Sequence, residues 1–189
     1  SLGLGLGLLG LSGGSPLAAA LGFGGALLHV WNHAWFKSLL FLGAGAVGKA
    51  TGSLNVEGMG GLLRRMPGTG AAFLAGSAAI SGLPPFNGFV SEFLIFMAAL
   101  ELLGSVHPLG GVLGLGGLAL ISGLAVACFA KACGVVFLGE PRSAEAERAT
   151  ETNRAMLLPM LFLALLCLLV GLTAPAMLFP LAAPVRQLV

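Results

Sequence analysis

Three ionisable side chains, His29, His33 and Lys37, recur at i, i+4 and i+8 within an apolar stretch. On one helix they stack along a single face and extend about 12 Å at 1.5 Å per residue. Ionisable groups in hydrocarbon cost about 2.5–3.5 kcal/mol each on insertion scales. Three on one face therefore imply a protein interior or a hydrated surface. Histidine titrates near neutrality, and such a row, ending in a lysine, can pass protons step by step. Asn32 and Ser38 add polar groups to the same stretch. Taken alone, His29 reads as a helix-packing hydrogen-bonder; the full row is what points to ion conduction. The spacing of His29 and His33 also suits a metal pair, but no nearby carboxylate completes a ligand set.

Glu92 is the second candidate. It follows Gly88 by four residues, in the first turns of a helix that starts after a break. A carboxylate there complements the positive end of the helix dipole; buried, it is also a group that protons can reload. Both roles can hold together. Lys131 lies some eight residues from the end of its apolar stretch and divides between a snorkelling anchor and a relay. Glu101 and His107 read as interfacial, Arg64 and Arg65 as topology determinants, and Trp31 and Trp35 as lipid or helix contacts. Cys128, Cys133 and Cys167 make no CxxC pair and read as buried free thiols. No metal, cofactor or catalytic residue is expected in this chain.

The elements that position these residues follow from composition. Of 189 residues, 57% are hydrophobic, 31 are glycine and only 8% are charged, against about a quarter charged in soluble domains. A soluble globule needs a charged surface that this chain cannot supply, so the surrounding solvent is lipid. A net charge of +2 with no basic tract excludes nucleic-acid binding. With no initial Met, and no Lys or Arg before Lys37, the apolar start does not resemble a signal peptide. It reads as a piece of a longer protein.

Charge placement divides the chain. Seven charges fall between Glu140 and Arg154 and four between Lys49 and Arg65. The apolar stretches between them are long enough to span about 30 Å of hydrocarbon. About five membrane elements are predicted: 1–12, 17–47, 67–103, 109–138 and 154–174. The third is broken at Gly82-Leu83-Pro84-Pro85-Phe86-Asn87-Gly88, where adjacent prolines end any continuous helix. Unwound backbone at membrane depth is tolerated only inside protein or beside a hydrated cavity, and transporters bind ions at such breaks. If 67–103 crosses once, loops 48–65 and 139–153 share a face, opposite the short connection 104–108. The positive-inside rule then puts both basic loops in the cytoplasm.

The stretch from His29 through His33 and Lys37 to Val47 resembles the antiporter-like subunits of respiratory complex I and membrane-bound hydrogenases. The resemblance continues through Met59–Pro67 and Phe73–Phe93 and covers most of residues 16–140. From Ala127 through Lys131 to Arg142 it is most similar to the branch of hydrogenase 4 component B and the formate hydrogenlyase membrane subunit. The resemblance implies an all-α polytopic bundle with one broken helix, matching the second five-helix inverted repeat of such subunits. It places His29, His33 and Lys37 on a central hydrated axis. Glu92 takes the position of the Lys or Glu of the second half-channel. The Glu and Lys pair of the first repeat has no counterpart here, so the chain alone should not be a complete pump.

These readings combine into one expectation. Residues 1–174 form part of a proton-conducting membrane domain, and residues 175–189, punctuated by Pro175, Pro180 and Pro184, are an interfacial tail or the start of a further helix. The pathway residues are His29, His33, Lys37, Glu92 and Lys131. The subunit is non-catalytic and sits multi-pass in a prokaryotic cell membrane, with other membrane subunits of a redox-driven complex as partners and protons as cargo. The alternative is a subunit of a multi-subunit sodium/proton antiporter with no redox partner. A purely structural scaffold leaves the polar membrane groups without a reason.

Overall fold

The computed structural model describes residues 2–104 and 107–189. Ser1, and Ser105 and Val106 of the 104–108 connection, lie outside the described residues. Among the described residues the chain is all-α. Its helices are α1 (Leu2–Ser12), α2 (Pro16–Thr51), α3 (Leu62–Arg65), α4 (Pro67–Ile80), α5 (Asn87–Leu103), α6 (Pro108–Phe137), α7 (Ala144–Arg148), α8 (Arg154–Leu172) and α9 (Ala174–Leu188). In lipid each backbone N–H and C=O needs an internal partner, and a helix supplies it within the segment. By length and apolarity alone, α6 and α8 can each cross a membrane.

Local signals set the limits of α2. Ser15 caps its start, accepting from the Ala18 N–H at 3.3 Å, and Pro16 occupies the first turn. At the far end Gly52, at φ 67°, closes the helix, and Lys49 sits in the last turn against the negative end of the dipole. Gly3, Gly7 and Gly10 of α1 pack closely on α2, whereas Gly5 faces open space. A side chain at Gly10 would strike the Ala19 backbone, and one at Gly22 would strike Gly7. Such close approach maximises dispersion contact where lipid offers no hydrophobic gain between helices.

The predicted break lies between α4 and α5, and its backbone is better satisfied than the sequence suggests. The N–H groups of Ser81, Gly82 and Leu83 donate back to the carbonyls of Ser77, Ala79 and Ala78 at 3.1, 3.3 and 3.0 Å. Phe86 N–H donates to Leu83 C=O at 3.1 Å. Pro84 and Pro85 have no N–H to strand. Every backbone donor from 81 to 86 is thus paired or absent, which makes the interruption tolerable inside the bundle.

Loops 48–65 and 139–153 meet at one end. Gly61 N–H donates to Leu138 C=O at 2.9 Å, Arg64 pairs with Glu140 at 3.3 Å, and Arg142 Nε donates to Glu57 C=O at 3.0 Å. At the other end Ser15 Oγ donates to Glu101 Oε1 at 3.4 Å, and Ser12 Oγ lies 3.5 Å from His107 Nε2. The broken span therefore runs once from end to end. Both loops carry short helices, α3 and α7, where the sequence suggested only irregular chain.

Apolar packing is layered along the bundle. A cluster including Leu39, Leu62, Met66, Phe137 and Met160 fills the loop end. A second, including Leu6, Ile95 and Leu102, fills the opposite end. Between them Phe36, Ala79 and Cys167 form a small layer beside the break. Helix α8 backs that layer, and Gly171 lies against the Pro85 carbonyl so closely that any side chain there would overlap it. Residues Ala174–Leu188 form helix α9, which includes Pro180 and Pro184 and packs Val185 over Gly24 of α2.

Candidate proton pathway at the broken helix

His29, His33 and Lys37 lie along one side of α2, and Glu92 faces them from the first turns of α5. All four line one cavity of about 380 Å³, with Ser122 of α6 completing the polar lining. A space this size with several polar groups can hold water. His29 and His33 have ring centroids 6.1 Å apart, and the buried Phe36 ring stands edge-on to both. His29 is half-buried, whereas His33 is exposed on this chain.

A serine connects the row to the broken helix. Ser91 Oγ donates to Gly88 C=O at 3.0 Å and lies 3.0 Å from His29 Nδ1. With its proton committed to Gly88, Ser91 accepts from Nδ1–H. In the neutral ring that arrangement leaves the Nε2 lone pair of His29 free to take a proton. Ser91 adjoins Glu92, so the row on α2 and the carboxylate on α5 are held by one hydrogen-bonded contact.

A second contact fixes the helices at this level. Asn32 Nδ2 donates to Asn87 C=O at 2.8 Å, and Asn87 Nδ2 donates to Asn32 Oδ1 at 3.1 Å. Both side chains are 0% exposed. Asn87 Oδ1 has no hydrogen-bond partner, so the clasp is incompletely satisfied. Buried amides across helices are tolerated when paired, and here they bind the first residue of α5 to the middle of the histidine row.

Glu92 itself is lodged in the break. Ser122 Oγ donates to its Oε2 at 2.9 Å. The same oxygen lies against Gly82, at φ +64°, where a Cβ would collide with it. Gly82 is therefore required twice, for its backbone conformation and for the space the carboxylate fills. Gly88 presses on the Ala79 carbonyl in the same way and brings the two half-helices together.

Among the sequence-predicted residues, the structure brings His29, His33, Lys37 and Glu92 to one cavity. Lys131 lies apart: it is exposed on α6 and does not line that cavity. Ser38, Trp31 and Trp35 are also outside its lining. Sequence reasoning missed Ser91, Ser122 and the partnership of Asn32 with Asn87. Ser91 next to Glu92 was the available signal, whereas nothing in the sequence separates Ser122 from other serines in apolar helices.

The half-helix α4 is held at its start by a residue from the loop before α8. Glu151 accepts from the N–H groups of Gly68 and Thr69 at 2.7 and 3.2 Å and from Thr69 Oγ1 at 2.6 Å. Burial pushes the Glu151 carboxyl up, but these donors and the Thr152 N–H outweigh it and hold the group below its ordinary range.

A polytopic helix bundle in which one interrupted span faces a polar row is the architecture of an antiporter-like membrane subunit. Residues 4–113 match the family described as NADH:quinone oxidoreductase/Mrp antiporter, TM, and the chain belongs to that family. It is a multi-pass membrane protein. It is 45% identical over 183 residues to hydrogenase-4 component B of Escherichia coli (strain K12), covering 92% of this chain and 26% of that protein. To formate hydrogenlyase subunit 3 of the same organism it is 44% identical over 187 residues, covering 97% of this chain and 31% of the relative. The chain thus spans between a quarter and a third of the length of these curated relatives. In fold it is similar to a chain of the Mrp complex from Dietzia sp. DQ12-45-1b, with a TM-score of 0.74 and 22% identity over 84% of this chain and 36% of that one.

Proposed function

We propose that this chain is the second-repeat portion of a proton-translocating, antiporter-like subunit of a redox-driven complex in a prokaryotic inner membrane. The observation that carries this reading is the single cavity lined by His29, His33, Lys37 and Glu92. Protons would step along the imidazoles and the Lys37 ammonium through cavity water and load Glu92, which sits at the half-helix junction. Similarity to hydrogenase and formate hydrogenlyase components favours redox-driven partner subunits, which would hold the redox centres. The basic loops at one end of the bundle support a cytoplasmic location for that end. Lys131 fits the anchor role better than the relay role, because it lies off the cavity.

The test uses the full-length subunit in its assembled complex, reconstituted in vesicles. Lys37→Ala and Glu92→Gln should each cut redox-driven proton uptake at least tenfold while subunit assembly is retained. Wild-type uptake in both variants would reject the assignment. Sodium-dependent uptake that proceeds without redox turnover would favour the sodium/proton antiporter reading instead.

A further inference from the structure

The cavity that holds the histidine–lysine row is not the only space beside Glu92. A second cavity of about 340 Å³ opens between α5 and α6, lined by Gly82, Phe89, Phe93 and Phe96 among others. Glu92 and Ser122 line both spaces. Their 2.9 Å hydrogen bond thus lies on the partition between a space with titratable groups and one with an aromatic, otherwise apolar wall. The bond engages Oε2, the oxygen that also rests on Gly82, and leaves Oε1 as the other acceptor on the carboxylate.

We propose that Ser122 is a positioning residue for Glu92, holding its carboxylate on this partition with one oxygen fixed and the other available to exchange a proton with the cavity. This rests on the proton role of Glu92 given above. A hydroxyl donates to an ionised carboxylate about twice as strongly as to a neutral one. Ser122 therefore grips the charged form more tightly and keeps a weaker bond to Oε2, then the carbonyl oxygen, when Oε1 is protonated. Among the described residues, the other titratable side chains around this cavity are His29, His33 and Lys37 of α2. Helices α1 and α4 contain none. On α6, Cys128, Lys131 and Cys133 lie beyond the cavity lining, and Cys167 of α8 packs on Phe36 and Ala79. Among the described residues, Ser122 is the side-chain donor to Glu92.

The experiment compares Ser122→Ala and Ser122→Thr in the full-length subunit within its complex, with Glu92→Gln as reference. Infrared difference spectra read the carboxyl C=O stretch that disappears in Glu92→Gln, and vesicle assays read proton flux. In Ser122→Ala the stretch should move to higher wavenumber and flux should fall roughly tenfold, the size expected for one charge-assisted hydrogen bond. Ser122→Thr, which keeps the hydroxyl, should restore both. An unmoved stretch in Ser122→Ala overturns the proposal, as does wild-type flux in that variant when Glu92→Gln abolishes flux. Full flux in Glu92→Gln would refute the proton role itself and reduce the serine bond to a packing contact.

Discussion

The asparagine clasp between α2 and α5 predicts an asymmetric response to mutation. Replacing Asn87 by Leu removes its Nδ2 donor to Asn32 but also removes Asn87 Oδ1, which already lacks a partner. Replacing Asn32 by Leu removes the donor to the Asn87 carbonyl and leaves both ends of the Asn87 amide unpaired at 0% exposure. Stranding a buried polar group costs about 1–3 kcal/mol. Asn32→Leu should therefore destabilise by about 2–3 kcal/mol and Asn87→Leu by about 1 kcal/mol. The double variant should fall short of their sum by about 0.6–1.7 kcal/mol, the coupling measured for such pairs between membrane helices. Thermal unfolding of the detergent-solubilised full-length subunit gives all three values. Equal losses in the two single variants, or strict additivity in the double, would refute the clasp as drawn.

Glu151→Gln should lower the melting temperature at neutral pH, because the ionised carboxylate accepts from the start of α4. The group is held below its ordinary range, so its contribution is complete above the unfolded carboxylate value and disappears as pH falls through the lower folded value. The melting difference between wild type and variant should shrink below about pH 4; a difference that is constant with pH would oppose this. Gly171→Ala should cost about 1–3 kcal/mol by forcing a methyl group into the Pro85 carbonyl. An unchanged melting temperature would show that α8 does not press on the break.

Much of this arrangement was legible because lipid leaves few options. Charge-poor stretches of sufficient length become helices, and Pro84-Pro85 can only interrupt one. The row at 29, 33 and 37 was visible because helical spacing alone places those side chains together. What could not be read was which helices meet. Ser122 lies 30 positions from Glu92 in the chain, and its serine looks like any other in an apolar helix. Likewise the pairing of Asn32 with Asn87 depends on the register between α2 and α5, which side-chain packing sets. The helical turns inside the charged loops escaped notice because they are too short to show periodicity.

The two halves of the interrupted span are fastened to different supports. Through Glu151 at its start and Gly171 behind the prolines that follow it, α4 is braced as a strut by the segment around α8. Through Asn87 and Ser91, α5 is stitched to the rod that bears the imidazoles. Force applied to one strut reaches the other across the elbow of residues 81–86, where Gly82 meets the carboxylate. The carboxylate of Glu92 thus rests on the joint between two separately anchored supports.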